Sequence, residues 1–547
     1  MNDAGVVDYI VVGAGSAGCA VASRLSESGK YSVALLEAGG SDWNFWVQMP
    51  IGYGKAFFDK KLNWMYETEP EPTLNDRVSY CPRGRVLGGS SSINAMVYIR
   101  GHQGDFDDWA SMGNAGWGWS VVLPYFRKME TDLAKGGDLR GGNGPVAVSG
   151  ANGNEHKTCH DFIQAGLEFG LSENGDFNGE SLMGVGLYQY TISGGRRMSA
   201  ARAYLRAARR RSNFRVITNA LTQKIIFEGG KAVGVYFQKN GHEHEIKAAK
   251  EIILSAGAIN TPQLLMLSGV GDEKHLREMN IPVQHDLPGV GQHLQDHLCL
   301  DFLYKAKVPT LNNELRPWSG RFLAAVKYAL ARSGSLALGV NQAGGFLKSA
   351  PDLTRPDMQL FFSPLSYTKA PEGERPLMSP DPFPGFLLSI QPTKPKSRGY
   401  ISLNSRDPEQ APKIFPKYLS HPDDLENLMK GARIIREFSR MPSLAAIIEK
   451  ELEPGDGVQT DHQLEEDIRN RACSVYHPVG SCRMGPDPRL DVVDNHLKVY
   501  GVTGLRVVDA SIFPTLTSGN TNAPAIMVGE KAADLILADV ERLDAPR

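Results

Sequence analysis

The sequence predicts an α/β fold, α+β overall, with one domain built around a parallel sheet and a second domain built from an antiparallel sheet and helices. Two observations predict this class. The chain opens with an apolar run, a glycine-rich turn, a helix-like segment and a second apolar run, which is the pattern of a strand–helix–strand unit. Residues 300–460 change to short strand-like runs with helix-like stretches between them, and proline is dense from 351 to 416, which suits an antiparallel sheet with long loops.

The N-terminal unit begins with a wholly apolar run at residues 9–12, typical of a parallel strand buried on both faces. A Gly-x-Gly-x-x-Gly turn follows at once, small apolar residues at 19–25 predict a tightly packed helix, and residues 33–36 form a second buried strand. This order is Rossmann-like, and its glycines let backbone amides approach a pyrophosphate. The alternative is a glycine-rich turn that binds nothing. The residues that this unit assigns to a dinucleotide are Gly13, Gly15, Ser16, Gly18 and Glu37.

Glu37, at the end of the second strand, narrows the kind of dinucleotide. Its carboxylate would accept hydrogen bonds from ribose hydroxyls and repel a 2′-phosphate, which disfavours NADP. NAD and FAD share this unit and both remain open. No second Gly-x-Gly-x-x-Gly follows a strand in the sequence and no cysteine pair has redox spacing, so a flavoenzyme reduced by NADH is less favoured.

Composition and charge exclude several other classes. Lys and Arg number 59 against 61 Asp and Glu, a net charge of −2, so we expect no nucleic-acid partner. The 41% hydrophobic and 22% charged content argues against long disorder and coiled coil. Six cysteines without a CxxC pair indicate neither a disulfide framework nor a zinc ribbon. Because the N-terminus has no leader pattern and no run reaches about 18 apolar residues, we expect a cytoplasmic protein.

Periodicity and turn residues predict the remaining elements. A second glycine cluster at residues 84–94 indicates backbone held close to a ligand. Helices are predicted at 199–211 and 525–538, and the charged stretch around 242–244 is predicted to be an exposed hairpin. Strands are predicted at 214–218, 221–227, 232–237, 251–256, 298–304, 358–362, 386–391, 400–403 and 505–509.

Several motifs, in order along the chain, resemble signatures of the glucose–methanol–choline oxidoreductases. The first two are GRVLGGSSSIN at residues 84–94 and GAINTPQLLMLSGVG at 257–271. The others are GVGQHLQDH at 289–297, YHPVG at 476–480, VDAS at 508–511 and GNTNAP at 519–524. The resemblance covers nearly the whole chain, and GGSSSINAMVYIRG with YHPVGSCRMG is most similar to choline dehydrogenases and medium-chain primary-alcohol dehydrogenases.

The resemblance implies FAD and a two-domain fold. It implies a flavin domain assembled from residues 1–155, 196–300 and 468–547, and a substrate domain from 156–195 and 301–467. The implied reaction is oxidation of a primary alcohol to an aldehyde by hydride transfer to the flavin, with electrons passed to a quinone-type acceptor. Choline as the substrate and oxygen as the acceptor are alternatives on the same scaffold. A lyase with a structural flavin is less favoured, and a non-enzymatic flavin-binding protein less still.

Candidate catalytic residues follow from the chemistry and the resemblance together. Removing a hydride from an alcohol carbon requires loss of the hydroxyl proton, and a neutral imidazole near working pH accepts it well. His477 is the candidate base, at the position that the resemblance gives to it. Asn520 stands where many relatives have a second histidine; it can donate to the alcohol oxygen but cannot act as a base, and its alternative role is to cap the C-terminal helix.

The resemblance also implies how FAD is held. Several relatives attach FAD covalently through a histidine in the first signature, and Ile93 occupies that place here, so we expect non-covalent FAD. The expected FAD-binding residues, besides those of the N-terminal unit, are Arg85, Gly88, Gly89, Ser91, Asn94, Ala95, Leu221, Asp509, Ala510, Asn520 and Thr521.

Two further clusters of charged or metal-ligating residues have a structural interpretation as well as a functional one. His293 and His297, with Asp296, have a spacing that could bind a metal on a helix, but no third ligand cluster lies nearby and the resemblance implies support for the flavin domain, so we expect no metal. Seven arginines crowd residues 196–211. A solvated surface is the default, and peripheral contact with an anionic membrane is the alternative, since each cation there contributes about 1 kcal/mol. The oligomeric state stays open.

Overall fold

The computed structural model of the chain describes residues 2–134, 136–367 and 379–544. Within this part of the chain the long strands form two seven-stranded sheets, one mainly parallel and one antiparallel, with two-stranded ribbons beside them. This architecture confirms the predicted mixed α/β class.

The first sheet contains the predicted N-terminal unit. Its first strand is parallel to the second, with Tyr9 opposite Val33, and residues 9–12 are buried on both faces. At its other end the sheet continues as antiparallel hairpins. The strand order is Phe214–Thr218, Val33–Glu37, Asn2–Val12, His242–Leu254, Lys231–Lys239 and Leu221–Glu228, and Leu505–Val507 pairs with His242–Leu254. This sheet therefore joins segments from both ends of the chain.

Two helices, one near each end of the chain, pack against each other beside this sheet. Helix Ser16–Leu25 packs against the C-terminal helix Asn522–Asp544. Arg24 and the buried Glu530 join them in an ion pair with Nε–Oε2 at 2.8 Å. Ser16 Oγ also donates to Asn522 Oδ1 at 2.7 Å. These contacts place the segment just before the C-terminal helix beside the glycine turn.

The second sheet is antiparallel and has two different faces. Its order is Ile448–Glu453, Leu298–Ala306, Gly385–Pro392, Met358–Ser363, Ala343–Leu347 and Gly184–Leu187, and Cys473–Ser474 pairs with Leu298–Ala306. Side chains alternate between the faces of a strand. Phe302 and Tyr304 therefore lie in a core with helix Pro422–Ser439, whereas Asp301, directly before Phe302, points to the opposite face and lines a cavity.

The other helices and short elements surround these sheets. The helices are Phe45–Gln48, Tyr53–Ala56, Gln103–Ser111, Trp119–Met129, Thr158–Glu168, Arg206–Ala208, Gly257–Leu267, Glu273–Glu278, Leu311–Leu315, Trp318–Ala331, Pro442–Ile447 and Asp461–Arg471. Single turns of 3₁₀-helix lie at Pro50–Gly52, Pro72–Leu74, Gly89–Ser92, Ser335–Ala337 and Ala510–Ile512, with a π-helical turn at Ala201–Leu205. The ribbons pair Tyr66–Glu67 with Tyr80–Cys81, Glu130–Asp132 with Val146–Val148, Ile192–Ser193 with Arg196–Arg197, Val270–Gly271 with His285–Asp286, and Tyr400–Ser402 with Lys413–Phe415.

Several predicted elements differ in detail. The predicted helix at 199–211 is a π-helical turn followed by the short helix Arg206–Ala208. The predicted strand at 400–403 belongs to a separate ribbon rather than to the antiparallel sheet. Strand Leu298–Ala306 continues through the predicted domain boundary at 300/301, because the second sheet begins where the GVGQHLQDH segment ends. Among the described residues, no helix has the length and apolarity needed to cross a membrane.

Candidate active site

A continuous cavity of about 350 Å³ is lined by residues of both domains. On one side it reaches the glycine turn and Glu37 of the first sheet. On the other it reaches His477 and Asn520 and the inner face of the antiparallel sheet. The cavity thus joins the predicted dinucleotide unit to the predicted catalytic pair.

Two glycines make close backbone approaches at the nucleotide side. Gly13 has φ of 99°, and a Cβ atom there would lie 2.5 Å from the carbonyl oxygen of Ser255. Gly89 has φ of 54°, and a Cβ atom there would lie 2.8 Å from Cα of Gly15. Because only glycine fits such positions, the two glycine clusters of the sequence meet at one wall of the cavity. This backbone cradle fits the pyrophosphate of FAD.

Glu37 is fixed by backbone amides at the end of its strand. Its Oε2 accepts from Ala14 N at 2.9 Å and its Oε1 from Gly39 N at 2.8 Å. Burial raises the pKa of this carboxyl to about 7, and the two amide donors oppose the rise. Each oxygen keeps a second lone pair, so the side chain can still accept from a ribose hydroxyl.

Most of the predicted cofactor residues line the cavity, and a few lie behind its wall. Ser91 Oγ donates to Gly88 O at 2.5 Å and accepts from Ala200 N at 2.9 Å, and Arg85 stacks on Trp64 at 4.6 Å from the ring centroid. The lining residues are Gly13, Gly15, Ser16, Glu37, Gly89, Asn94, Ala95, Leu221, Asp509, Ala510, Asn520 and Thr521, and those behind the wall are Gly18, Arg85, Gly88 and Ser91.

A buried carboxylate, Asp296, positions the backbone of His477. It accepts from His477 N at 2.7 Å and from Ser474 Oγ and Tyr418 Oη at 2.5 and 2.7 Å. The same carboxylate accepts from His297 N at 2.9 Å. Asp296 therefore holds together two segments that are far apart in the sequence.

The hydrogen bonds of His297 determine which nitrogen of His477 carries the proton. Nε2 of His297 lies 3.0 Å from the carbonyl oxygen of Thr393, which can only accept, so this nitrogen is protonated. In a neutral ring, Nδ1 of His297 is then an acceptor. It lies 3.0 Å from Nδ1 of His477, so His477 carries its proton on Nδ1. Nε2 of His477 is therefore unprotonated and carries a lone pair, as a base requires.

The electrostatic environment keeps both imidazoles neutral. Burial lowers the pKa of His477 well below its usual value, and His297 and Arg83 lower it further. Burial also lowers the pKa of His297 to about 4. The neutral forms required by the hydrogen-bond chain are therefore the favoured ones.

Asn520 contacts the candidate base directly. Its Nδ2 lies 3.2 Å from Nε2 of His477, while its Oδ1 is buried with no partner in the described part of the chain. An amide that donates to this lone pair agrees with the tautomer set by His297. The C-terminal helix begins two residues later, at Asn522, and the Asn520 side chain is directed to His477.

Sequence reasoning missed the contact between His297 and His477. The resemblance implies that His297 supports the flavin domain, yet its ring contacts the candidate base. The available signal was the Asp-His pair directly before a predicted strand. No spacing rule relates that pair to a histidine 180 residues away.

A cavity that reaches a Rossmann-like glycine turn at one side and a neutral imidazole at the other is typical of a dinucleotide-dependent oxidoreductase. Comparison with known proteins identifies the family. Two family models described as GMC oxidoreductase match the chain, the N-terminal one at residues 7–299 and the C-terminal one at residues 395–529. The chain belongs to the glucose–methanol–choline (GMC) oxidoreductase family. The membership confirms the predicted family, fold, oxidoreductase class and FAD-dependent action on CH–OH donors.

Relatives are similar over nearly their full length. The chain is 45% identical to an alcohol dehydrogenase [acceptor] of Pseudomonas putida, covering 98% of this chain and 97% of the relative. It is 43% identical to an oxygen-dependent choline dehydrogenase of Rhizobium etli, covering 97% and 95%. Pyridoxine 4-oxidase from Mesorbium loti has a TM-score of 0.86 at 29% identity over 96% of this chain and 98% of that one. Formate oxidase of Aspergillus oryzae has a TM-score of 0.91 at 26% identity over 99% and 100%.

Proposed function

We propose that this protein oxidises a primary alcohol to an aldehyde, with His477 as the base. The observation that carries the proposal is the series of hydrogen bonds from the Thr393 carbonyl through His297 to His477. These bonds leave Nε2 of His477 unprotonated beside the cavity. That nitrogen accepts the hydroxyl proton of the alcohol. Asn520 Nδ2 donates to the same oxygen and stabilises the negative charge that develops on it. FAD, when bound, supplies the acceptor for the hydride that leaves the alcohol carbon.

The cavity wall supports an alcohol with an apolar chain. Ile93, Val340, Phe361 and Leu387 line it together with His477. Such a wall stabilises an alkyl group by burial, at about 0.8 kcal/mol per methylene. The similarity to an alcohol dehydrogenase [acceptor] supports the same substrate class.

An anaerobic screen of alcohols tests the proposal. The purified holoenzyme is mixed with primary alcohols of increasing chain length, with secondary alcohols and with choline, and the visible absorbance of the flavin is followed. We expect primary alcohols to bleach the flavin with formation of one aldehyde per flavin. A flavin that no alcohol bleaches would support the lyase alternative.

Choline is the second candidate substrate, and a carboxylate in the cavity favours it. Asp301 lines the same cavity as Tyr53, Phe57 and Phe361, and a quaternary ammonium group binds to aromatic faces near a negative charge. If choline is the substrate, Asp301→Asn lowers kcat/KM for choline about tenfold or more and leaves kcat/KM for an uncharged alcohol unchanged. Steady-state assays with both substrates separate the cases. Equal effects on both substrates would remove the reason for favouring choline.

For the acceptor, we propose a quinone-type molecule rather than oxygen, and a cytoplasmic protein that contacts the membrane peripherally. The support for the acceptor is that the identity to an alcohol dehydrogenase [acceptor], 45%, exceeds the identity to an oxygen-dependent choline dehydrogenase, 43%. The support for membrane contact is the arginine-rich segment at residues 196–211. In a stopped-flow test, flavin reduced anaerobically by alcohol is mixed with a soluble quinone or with air-saturated buffer. Reoxidation by air as fast as turnover, with hydrogen peroxide formed in step, would make the protein an oxidase.

Acid treatment is expected to release all of the flavin. The residue at the attachment position, Ile93, is buried and aliphatic, so it offers no nucleophile for a covalent bond. After precipitation of the holoenzyme with acid, FAD absorbance should be recovered entirely in the supernatant. Yellow colour that stays with the washed precipitate would contradict non-covalent binding.

The pH dependence of flavin reduction should reflect the lowered pKa of His477. A histidine at its ordinary pKa of about 6.5 would lose half of its base form at that pH. Because burial, His297 and Arg83 hold the pKa of His477 well below that value, the neutral base persists as the pH falls through 6.5. At saturating alcohol, the reduction rate constant should therefore stay constant through pH 6.5 and decrease only at lower pH. A half-maximal rate at or above pH 6.5 would contradict this environment for the base.

A further inference from the structure

Helix Trp318–Ala331 presents apolar side chains to solvent. Trp318 is 74% exposed, Phe322 58%, Leu323 69% and Leu330 83%. The rings of Trp318 and Phe322 stack at 5.5 Å between centroids. Only Ala324 and Tyr328 of this helix are buried. Surface helices usually bury their apolar stripe, so this helix has the reverse arrangement.

The exposed residues form one continuous face. At about 100° per residue, Trp318, Phe322, Leu323 and Leu330 span an arc of roughly 140°. Arg321 and Lys327 lie at its two edges. Residues 316–332 contain four cations, Arg316, Arg321, Lys327 and Arg332, and no Asp or Glu.

The helix lies directly beside the arginine-rich segment. Tyr328 Oη donates to Gly195 O at 2.9 Å, and Gly195 is in contact with the backbone of Arg332. Burial raises the pKa of Tyr328, and nearby Arg332, Arg196 and Arg202 partly offset the rise. Of the arginines that the sequence singled out, Arg196 and Arg202 therefore extend the cationic edge of the helix, whereas Arg197 is buried.

The same surface continues to a second pair of exposed aromatic residues. Trp43 is 85% exposed and Phe45 61%. Arg197, two residues after Gly195, donates from Nε to Val47 O at 2.9 Å, so helix Phe45–Gln48 lies beside the arginine-rich segment. Burial raises the pKa of the adjacent Asp42, and Arg209 and Arg202 oppose the rise, so Arg202 is near this segment as well as near Tyr328. We call this surface the basic apolar face. It consists of Trp43, Phe45 and the exposed face of helix Trp318–Ala331, with the neighbouring cations Arg196, Arg202, Arg209, Arg321, Lys327 and Arg332.

We propose that the basic apolar face binds the surface of an anionic phospholipid bilayer. Exposed aromatic and leucine side chains between cations are the composition of a helix that lies in a membrane interface. Anionic headgroups complement the cations that surround the apolar residues. A second copy of this chain fits less well, because a two-fold interface would bring the same cations against one another.

This surface also lies next to the cavity wall. Ala324 and Tyr328 of the helix share one hydrophobic cluster with Tyr53, Val340 and Phe361, which line the cavity. Bilayer binding would bring the cavity close to lipid-soluble quinones. The lipid binding deepens the peripheral membrane contact of the proposed function and rests on it, whereas the approach to quinones rests in addition on the proposed acceptor.

Vesicle sedimentation tests the proposal with the holoenzyme. The protein is centrifuged with vesicles of phosphatidylcholine alone or with phosphatidylglycerol added. We expect strong binding only to the anionic vesicles, weakened by salt. Phe322→Ser with Leu330→Ser should weaken the binding about tenfold or more. Leu490→Ser, at an apolar residue that is 53% exposed outside the face, is the matched control and should bind as the wild type does.

Two further measurements separate the possible failures. Brominated acyl chains should quench tryptophan fluorescence, and Trp318→Phe should bind normally with reduced quenching. Oxidation of alcohol with a soluble dye, flavin content and melting temperature should be unchanged in the Phe322→Ser, Leu330→Ser variant, so a loss of lipid binding is not a loss of fold or catalysis. Binding that is equal in this variant and the wild type overturns the proposal. The proposal is also overturned if the wild type binds no vesicles and instead forms a dimer that the Phe322→Ser, Leu330→Ser variant dissociates.

Discussion

Replacing His477 by alanine is expected to slow anaerobic flavin reduction by about 10²–10⁴-fold, the usual contribution of a general base. This corresponds to roughly 3–5 kcal/mol of transition-state stabilisation. The physical reason is that Nε2 of His477 is the unprotonated nitrogen beside the cavity, with Asn520 Nδ2 at 3.2 Å. Stopped-flow reduction by a saturating primary alcohol measures the effect. Flavin content and melting temperature show whether the variant is folded.

His293→Asn is the matched control for this experiment. His293 lies in the same sequence motif as His297 but has φ of 63°, a conformation that asparagine tolerates. We expect reduction at the wild-type rate in this variant. If His477→Ala is reduced as fast as the wild type at saturating alcohol, another group is the base.

Replacing His297 by alanine is expected to slow the same step by about 10–100-fold, the loss usual when the group that orients a functional histidine is removed. His297 does not act on the alcohol; it positions His477. Without its Nδ1 acceptor, 3.0 Å from Nδ1 of His477, the proton of His477 has no fixed partner and Nε2 is no longer held unprotonated. The expected change is in kcat, with KM for the alcohol unchanged.

His297→Asn distinguishes positioning from structural support. The Oδ1 of asparagine can occupy the place of the histidine Nδ1 and accept from His477, although the bond to the Thr393 carbonyl is lost. We expect this variant to recover a large part of the rate lost in His297→Ala, with a pH profile close to that of the wild type. Equal damage in both variants, accompanied by loss of flavin, would make His297 a structural residue only.

The nucleotide side of the site could be predicted because its requirements are local. The close approach at Gly13 needs glycine, and the carboxylate at Glu37 must end the second strand, so both leave a pattern within one strand–helix–strand unit. The same holds for the strand at residues 9–12, whose wholly apolar composition follows from burial on both faces. Segments from the far end of the chain were placed with this unit by resemblance, not by local pattern.

The candidate catalytic residues and their hydrogen-bond partners could be predicted only in part. His477 and Asn520 stand in recognisable motifs, whereas the roles of His297 and Asp296 depend on distances between segments that only the fold brings together. The basic apolar face could not be predicted from the sequence for another reason. The apolar periodicity of residues 318–331 is the same whether that stripe is buried or exposed, and only the packing of Ala324 and Tyr328 reveals which side faces inward.

The most direct measurement is single-turnover flavin reduction with a primary alcohol and with the same alcohol carrying deuterium on its reacting carbon. The proposed reaction breaks that C–H bond as His477 Nε2 takes the hydroxyl proton. It predicts bleaching of the flavin, one aldehyde per flavin, and a several-fold slower rate with deuterium. A flavin that keeps its colour with every primary alcohol, or that bleaches at one rate with both isotopes and yields no aldehyde, would contradict it.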